Sequence, residues 1–421
     1  MSAGALSVAR TRRFPMNRRL AAWLLLLLVL IGLGVATWAY QFANGLVVTG
    51  LTNVVMWGQY ILFFMFFVGL SAGGLIVASA GRLFGATVFK PIVRVAVLEA
   101  TVAIILAATF ILPDLGRPDR ILNILFHANL TSPMIWDIAI VFVYMGMSLT
   151  YVWLYTRADL AKAGSWLAFG TSASEKSAAR DQRVIGALAW VALPAAILLH
   201  SITAWIFGLQ ISRGFWYSAI MAPMFISSAL VSGLGLVILL ALACRRFGAV
   251  RFKDDLVAFL GGLLGVFIVV EAFMVFAEML TAAYPGAPDE ADAIHRLITG
   301  PYAPIFWFEA LVGLLIPFLI LATRRLRGDA RWVAVAAGIA IAGIWVHRLN
   351  LLLNGLSYLP VGMAPGVSVG DTAGAATSFA TSYWYVPTPI EWIIVIGVLA
   401  GGALLVTLAA MFLPLQEPER H

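Results

Sequence analysis

Ten apolar stretches, each long enough to cross a bilayer, run through this chain, and several of them carry an acid or a histidine. A span takes about 20 predominantly apolar residues. Such stretches lie near 20–40, 54–79, 92–112, 133–155, 184–206, 216–243, 256–283, 304–323, 332–355 and 390–413. Only 11% of the 421 residues are charged, against about 25% in a soluble domain. The length is therefore taken up by spans and short loops. A charge at the bilayer centre costs about 2.5–3.5 kcal/mol on insertion scales, so an ionisable group there marks a functional site by default.

The loops alternate in charge. The N-terminus (Arg10, Arg12, Arg13, Arg18, Arg19), the loop with Arg82 and Lys90, and those at Arg157 to Arg183, Arg245 to Lys253 and Arg324 to Arg331 are basic. Gln41 to Asn53 has no Lys or Arg, and the segment around Asp289, Glu290 and Asp292 is acidic. The positive-inside rule then puts both termini in the cytoplasm, with the chain multi-pass in a prokaryotic cytoplasmic (inner) membrane. The apolar run after Arg19 is longer than the 7–15 residues of a signal-peptide core and reads as an uncleaved anchor. A net charge of +7 does not point to nucleic acid, because the basic residues sit at helix ends.

Spans two to five repeat in spans six to nine. Gly81-Arg82-Leu83-Phe84-Gly85 is matched by Cys244-Arg245-Arg246-Phe247-Gly248, and Glu99-Ala100 by Glu271-Ala272. Pro133 to Asp137 is matched by Pro304 to Glu309, and His200 by His347. An offset of four spans preserves orientation, so the halves are parallel repeats. The predicted fold is an all-α polytopic membrane protein with two parallel-repeat four-helix bundles and two peripheral helices. Its expected parts are a cytoplasmic N-terminus (1–19), a peripheral helix with an outer loop (20–53), bundles at 54–206 and 207–355, an outer loop (356–389), and a last helix with a cytoplasmic tail (390–421). Gly69, Gly73, Ser228, Ala229, Ser232 and Gly233 are small residues of the kind that let membrane helices approach closely.

Orientation converts sequence position into depth at 1.5 Å per residue. Asp137 and His200 fall near the outer ends of spans four and five, and Asp114, Arg117, Asp119 and Arg120 lie in the outer loop beside them. Glu278, Glu309, His347 and Arg348 fall in the outer half of the second repeat, with Glu391 at the outer lip of span ten. Glu99 is nearer the cytoplasm, and Glu271 and Glu278 share one helix face at i, i+7. Histidine with a carboxylate suits the proton-coupled redox of a quinol, since both can take protons near neutral pH. The alternatives stay open: His200 with Asp137 as a structural tie, Arg348 with Glu391 as a lock between spans nine and ten, and Glu99, Glu271 and Glu278 as neutral acids or a proton path. His347, Glu309 and Asn350 are structural or belong to a second site. Only His200 and His347 are intramembrane histidines, too few for a di-haem cytochrome, so no haem is expected. One cysteine, Cys244, excludes a resident iron–sulfur cluster, and no metal site is expected.

Asp114-Leu115-Gly116-Arg117-Pro118 with Ser132-Pro133-Met134-Ile135-Trp136-Asp137 resembles the signature of the NrfD/polysulfide-reductase membrane-subunit family. His200 to Trp205, Trp216 to Pro223, Arg348-x-Asn350 and Tyr385-x-Pro387-x-x-Glu391 resemble later blocks of its ten-span branch, which includes subunits of alternative complex III and periplasmic hydrogenases. The resemblance implies a haem-free subunit that reacts with menaquinone or ubiquinone near the outer face, at residues matching Asp114, Arg117, Asp137 and His200. It implies a ferredoxin-like iron–sulfur partner, often a molybdopterin-type subunit beyond it, and room for other membrane subunits. Proton translocation would involve Glu99, Glu271 and Glu278. An ion-coupled secondary transporter or a redox-silent membrane anchor are the rival readings.

Overall fold

The computed structural model describes residues 17–52, 54–169, 171, 174–357 and 384–416. The arginines before residue 17 and most of the predicted outer loop lie outside the described residues. Among the described residues, ten helices are long and apolar enough to span a membrane, as the hydropathy pattern predicts. They are α1 (Arg18–Asn44), α2 (Gln59–Leu83), α3 (Val93–Asp114), α4 (Pro133–Lys162), α5 (Glu175–Gly208), α6 (Met221–Arg246), α7 (Asp254–Ala283), α8 (Ala303–Ala322), α9 (Ala330–Leu356) and α10 (Pro389–Phe412). The described chain is all-α, which follows from the need to satisfy every backbone group internally in lipid.

Local chemistry sets the ends. Asn17 accepts from Leu20 N at 2.8 Å to start α1, and Gly45, at φ 80°, ends it. Pro389 opens α10 behind a capping box in which Thr388 and Glu391 satisfy each other's backbone N–H, a pairing that removes two unsatisfied donors. Helices α4 and α5 outrun the bilayer, with 30 and 34 residues. α5 starts nine residues before its predicted span because its first turns are polar, and an Arg157–Asp181 ion pair ties the two extensions together. The acidic segment expected as loop holds a short amphipathic helix, Pro288–Ile298, which buries Ala293, Ile294 and Leu297.

α2 to α5 pack mutually, as do α6 to α9, while α1 lies on α10 and α10 on α3. The two sets meet where α2 crosses α6, with Gly73 against Gly233: a Cβ on Gly73 would lie 2.5 Å from Gly233 Cα. Gly69 faces Ala229 and Ser232, so the small-residue motifs are the seam. At the opposite face Arg94 bonds Asp159 at 2.7 Å and the carbonyl of Pro414 at 2.6 Å, pinning the end of α10. α8 is continuous but contains a π-helical stretch, Phe308–Leu315. There Gly313 abuts Gly343 of α9, leaving 2.5 Å between an added Cβ and Gly343 Cα. π-turns of this kind recur at functional sites, and Glu309 lies in this one.

Candidate functional site

The repeat supplies two equivalent sets of ionisable residues, and the fold assembles only one. In the first bundle Asp137 accepts from the Thr203 hydroxyl at 2.5 Å. His200 Nδ1 faces Ala196 O at 2.7 Å and Nε2 faces Val68 O at 3.2 Å. The expected His200–Asp137 pair is therefore not formed, because Thr203, one turn along from the histidine, reaches the carboxylate first. A neutral imidazole has one N–H, so it satisfies only one of the two carbonyls it faces. Glu99 is 1% exposed, and neither carboxyl oxygen has a hydrogen-bond partner among the described residues.

Arg117 is exposed and pairs with Asp119 at 2.9 Å. Its hydrogen bond to Asp119 holds the guanidinium above its ordinary value, and the same bond holds Asp119 below the usual carboxylate range. Arg117 thus stands in solvent and joins neither Asp137 nor His200. Asp114 is half-buried at the end of α3, near Tyr60 and Glu391, with Oδ1 unpaired. At the start of α2, Gln59, which belongs to none of the motifs singled out above, is 1% exposed with both side-chain amide atoms unpaired.

The predicted Arg348–Glu391 lock is also absent. Glu391 accepts from Gly50 N at 2.8 Å, from Thr388 N at 2.9 Å and from the Tyr385 hydroxyl. It is held by its own helix cap and by the segment after α1. Arg348 points the other way, toward α6 of its own bundle. Its guanidinium lies 3.6 Å from the Phe225 ring centroid and donates to the Ser228 hydroxyl, and Nε and Nη1 have no partner among the described residues. A desolvated cation–π contact of this kind contributes about 2 kcal/mol. Tyr385, whose hydroxyl also accepts from Gln59 N at 2.8 Å, has its phenol pushed up by burial and then by the Glu391 charge. Tyr385→Phe leaves a buried carboxylate and a buried N–H short of a partner, a loss of about 1–3 kcal/mol. A lowered thermal midpoint for the purified protein checks this.

The second bundle brings its counterparts together. His347 Nδ1 lies 2.7 Å from Glu309 Oε1, and Asn350 donates to Glu309 Oε2 at 2.7 Å. Glu271 Oε1 is 4.0 Å from His347 Nε2, and its other oxygen accepts from Ser227. Glu278 accepts from Ser218 at 2.8 Å. In the tautomer that carries its proton on Nδ1, toward Glu309, His347 leaves Nε2 as a bare acceptor. Nε2, Glu271 Oε1 and Asn350 Oδ1 are all buried without hydrogen-bond partners among the described residues. A cavity of about 20 Å³, lined by Glu278, Glu309, His347 and Asn350 but not by Glu271, has room for about one water. It adjoins a groove of about 810 Å³ between α7 and α8, and Val275, Met279 and Phe306 line both. Of the expected proton path, Glu271 and Glu278 thus join His347, while Glu99 stays apart in the other bundle. Among the described residues no group of three or more His, Cys, Asp or Glu is arranged to hold a metal ion.

Comparison with known proteins agrees with this architecture. A family model described as polysulphide reductase, NrfD, matches residues 47–360. The chain is 39% identical to a putative dimethyl sulfoxide reductase membrane subunit of Halobacterium salinarum, over 94% of this chain and 91% of that one. It is 26% identical to a selenate reductase subunit of Mesobacillus selenatarsenatis, over 92% of each. It is 27% identical to an Hdr-like menaquinol oxidoreductase integral membrane subunit of Archaeoglobus fulgidus, over 86% of each. With a match over most of its length and ten membrane-spanning helices, this chain belongs to the NrfD polysulphide reductase family.

Proposed function

We propose that this chain is the quinone-reactive membrane subunit of a respiratory oxidoreductase, and that its second bundle handles the protons of the quinone ring. The observation that carries the reading is the trio of unpaired buried atoms, His347 Nε2, Glu271 Oε1 and Asn350 Oδ1. Unsatisfied polar groups cost about 1–3 kcal/mol each, so a cluster of them is retained where a partner molecule completes it. Quinol oxidation releases two protons and two electrons. One ring hydroxyl gives its proton to His347 Nε2, with Glu309 stabilising the imidazolium. The other gives its proton to a carboxylate, Glu271 or Glu278. The electrons leave to a separate subunit of the iron–sulfur kind, since this chain has a single cysteine. Quinone reduction runs the same steps backwards. The Lys/Arg bias of the loops supports termini in the cytoplasm of a prokaryotic inner membrane. That orientation puts Glu278, five residues from the end of α7, on the side where protons leave.

One observation favours a second reading, in which the ring binds at the outer end of the first bundle: Gln59 and Asp114 Oδ1 are buried and unpaired there. Menaquinol turnover by the purified complex separates the two. The second-bundle reading predicts that His347→Ala lowers turnover by about 10²-fold or more while Asp114→Asn stays near wild type. The reverse pattern moves the site to the first bundle. Normal turnover in both variants removes the quinone role.

A further inference from the structure

We propose that the cleft between α7 and α8 binds an anionic phospholipid, with the phosphate on Arg327 and an acyl chain in the apolar groove that continues from it. The inference does not depend on which bundle takes the quinone ring. The connection from α8 to α9 carries Arg324, Arg325, Arg327 and Arg331 against one acid, Asp329. Asp329 caps α9 by accepting from Arg331 N at 2.9 Å. Among the described residues none of the four arginines forms an ion pair. Arg324, Arg325 and Arg331 stand exposed, while Arg327 is half-buried and turns back onto the membrane helices. Its Nη1 donates to Leu321 O, at the end of α8, at 3.2 Å. The side chain lies along α7 where two glycines make room for it. A Cβ on Gly261 would lie 3.3 Å from Arg327 Cγ, and one on Gly262 would lie 3.7 Å from Nη1. A guanidinium has five N–H donors in a planar fork, the geometry that matches phosphate oxygens.

Depth and charge select the occupant. Gly262 lies eight residues inside α7, past the acidic first turn of Asp254 and Asp255, so the guanidinium sits between helices rather than out in water. One leaflet of the hydrocarbon core is about 15 Å deep, which at 1.5 Å per residue runs from Gly262 to Ala272. Over that length Val266 and Val269 on α7 and Leu315 and Leu319 on α8 are exposed to lipid. The groove of about 810 Å³ opens along the same line: Ile268, Val269 and Ala272 line it from α7, and Leu314, Leu315 and Phe318 from α8. A chain hung from Arg327 therefore ends inside the groove. A quinone has a neutral head, and a zwitterionic lipid brings its own cation beside its phosphate. Neither offsets four arginines that face one aspartate. An anionic phospholipid does, and basic pockets between spans on the cytoplasmic side recognise such headgroups.

The test is lipid retention by the purified complex, read by native mass spectrometry after delipidation and reloading. Wild type is expected to hold dioleoylphosphatidylglycerol about tenfold more tightly than dioleoylphosphatidylcholine. Arg327→Gln should weaken the phosphatidylglycerol about tenfold. Arg246→Gln, which removes an exposed charge at the end of α6, should leave retention within about twofold. Ala272→Trp, at an exposed position where the chain ends, should weaken the dioleoyl lipid but not dihexanoylphosphatidylglycerol. In wild type, phosphatidylglycerol with a photoreactive chain end should label residues 266–275 or 311–319. An equal loss in Arg246→Gln, or equal retention of phosphatidylcholine, reduces the site to the general attraction of a basic face and overturns the proposal. Displacement of the lipid by inorganic phosphate, an adduct elsewhere, or labelling that excess menaquinone suppresses and excess phosphatidylglycerol does not, overturns it too. Should Arg327→Gln fail to assemble, the wild-type adduct and the preference between the two lipids decide.

Discussion

Glu309→Gln is expected to lower quinol turnover by about 10²-fold, at the lower edge of what positioned acid–base groups contribute, with the complex still assembled. Gln keeps the size of the side chain but has one oxygen where Glu309 has two. Both of those oxygens are engaged, one by His347 Nδ1 and one by the Asn350 amide, each at 2.7 Å. In the variant an NH₂ must face one of these partners. Facing Asn350, it sets donor against donor, and facing His347, it turns the proton onto Nε2. In that tautomer Nε2 no longer accepts, and the negative charge that stabilises the imidazolium is gone. The structural loss is about 1–3 kcal/mol for one unsatisfied buried donor, small enough for folding to survive. Two readouts separate a catalytic loss from a packing loss. The pH profile of turnover should lose the limb that reports ionisation of the cluster. The exchange Glu309→Gln with Asn350→Asp, which returns a carboxylate to the same three-residue contact, should recover part of the rate. Wild-type turnover in Glu309→Gln would reduce the cluster to a structural tie between α8 and α9.

The same contrast explains what the sequence made legible. Span positions follow from composition alone, because a helix in lipid has to be apolar over a fixed length, and all ten spans appear. Distance along each helix follows too, since 1.5 Å per residue leaves little freedom. Rotation about each helix axis does not. Asp137 and Glu309 occupy matched places in the repeat, as do His200 and His347, yet one pair is separated and the other touches. The difference lies in the neighbours. Thr203 caps Asp137 and backbone carbonyls take the ring of His200, whereas the π-turn in α8 swings Glu309 toward α9. No pattern of residue types announces a π-turn, so residue patterns favour the first bundle and the geometry favours the second. Arg348 shows the same limit: the chain alone does not say that it points at Phe225 and Ser228 rather than at Glu391. Gln59 reads as an ordinary polar residue at a membrane surface. It is buried because Tyr385, more than three hundred residues along the chain, folds over it.

Gly73→Leu is expected to prevent the protein from accumulating in the membrane, or to lower its thermal midpoint by many degrees. The physical basis is the crossing of α2 and α6. A Cβ on Gly73 would stand 2.5 Å from Gly233 Cα, and one on Gly233 would stand 2.6 Å from Gly73 Cα. Both contacts are with backbone, which has no rotamer to yield, so the helices themselves must part. Overpacking a core costs about 1–3 kcal/mol when side chains can shift, and the cost here exceeds that range because they cannot. Nothing offsets it, since lipid tails are as apolar as leucine and membrane helices associate through packing rather than through the hydrophobic effect. The damage also spreads. Ser228 lies on the same helix, slightly more than one turn from Gly233, and receives the guanidinium of Arg348. Parting the seam therefore leaves a buried cation with fewer donors satisfied, beside a cluster that needs fixed charges. The control is Gly338→Ala in α9, where an added Cβ meets nothing within 4 Å. That change should leave the midpoint unaltered or raise it, by up to the roughly 0.8–1.0 kcal/mol that separates glycine from alanine in a helix interior. Thermal unfolding of the three purified proteins decides the point. If Gly73→Leu melts with wild type, the two bundles are not held by this crossing, and the charged groups beside it owe their positions to something else.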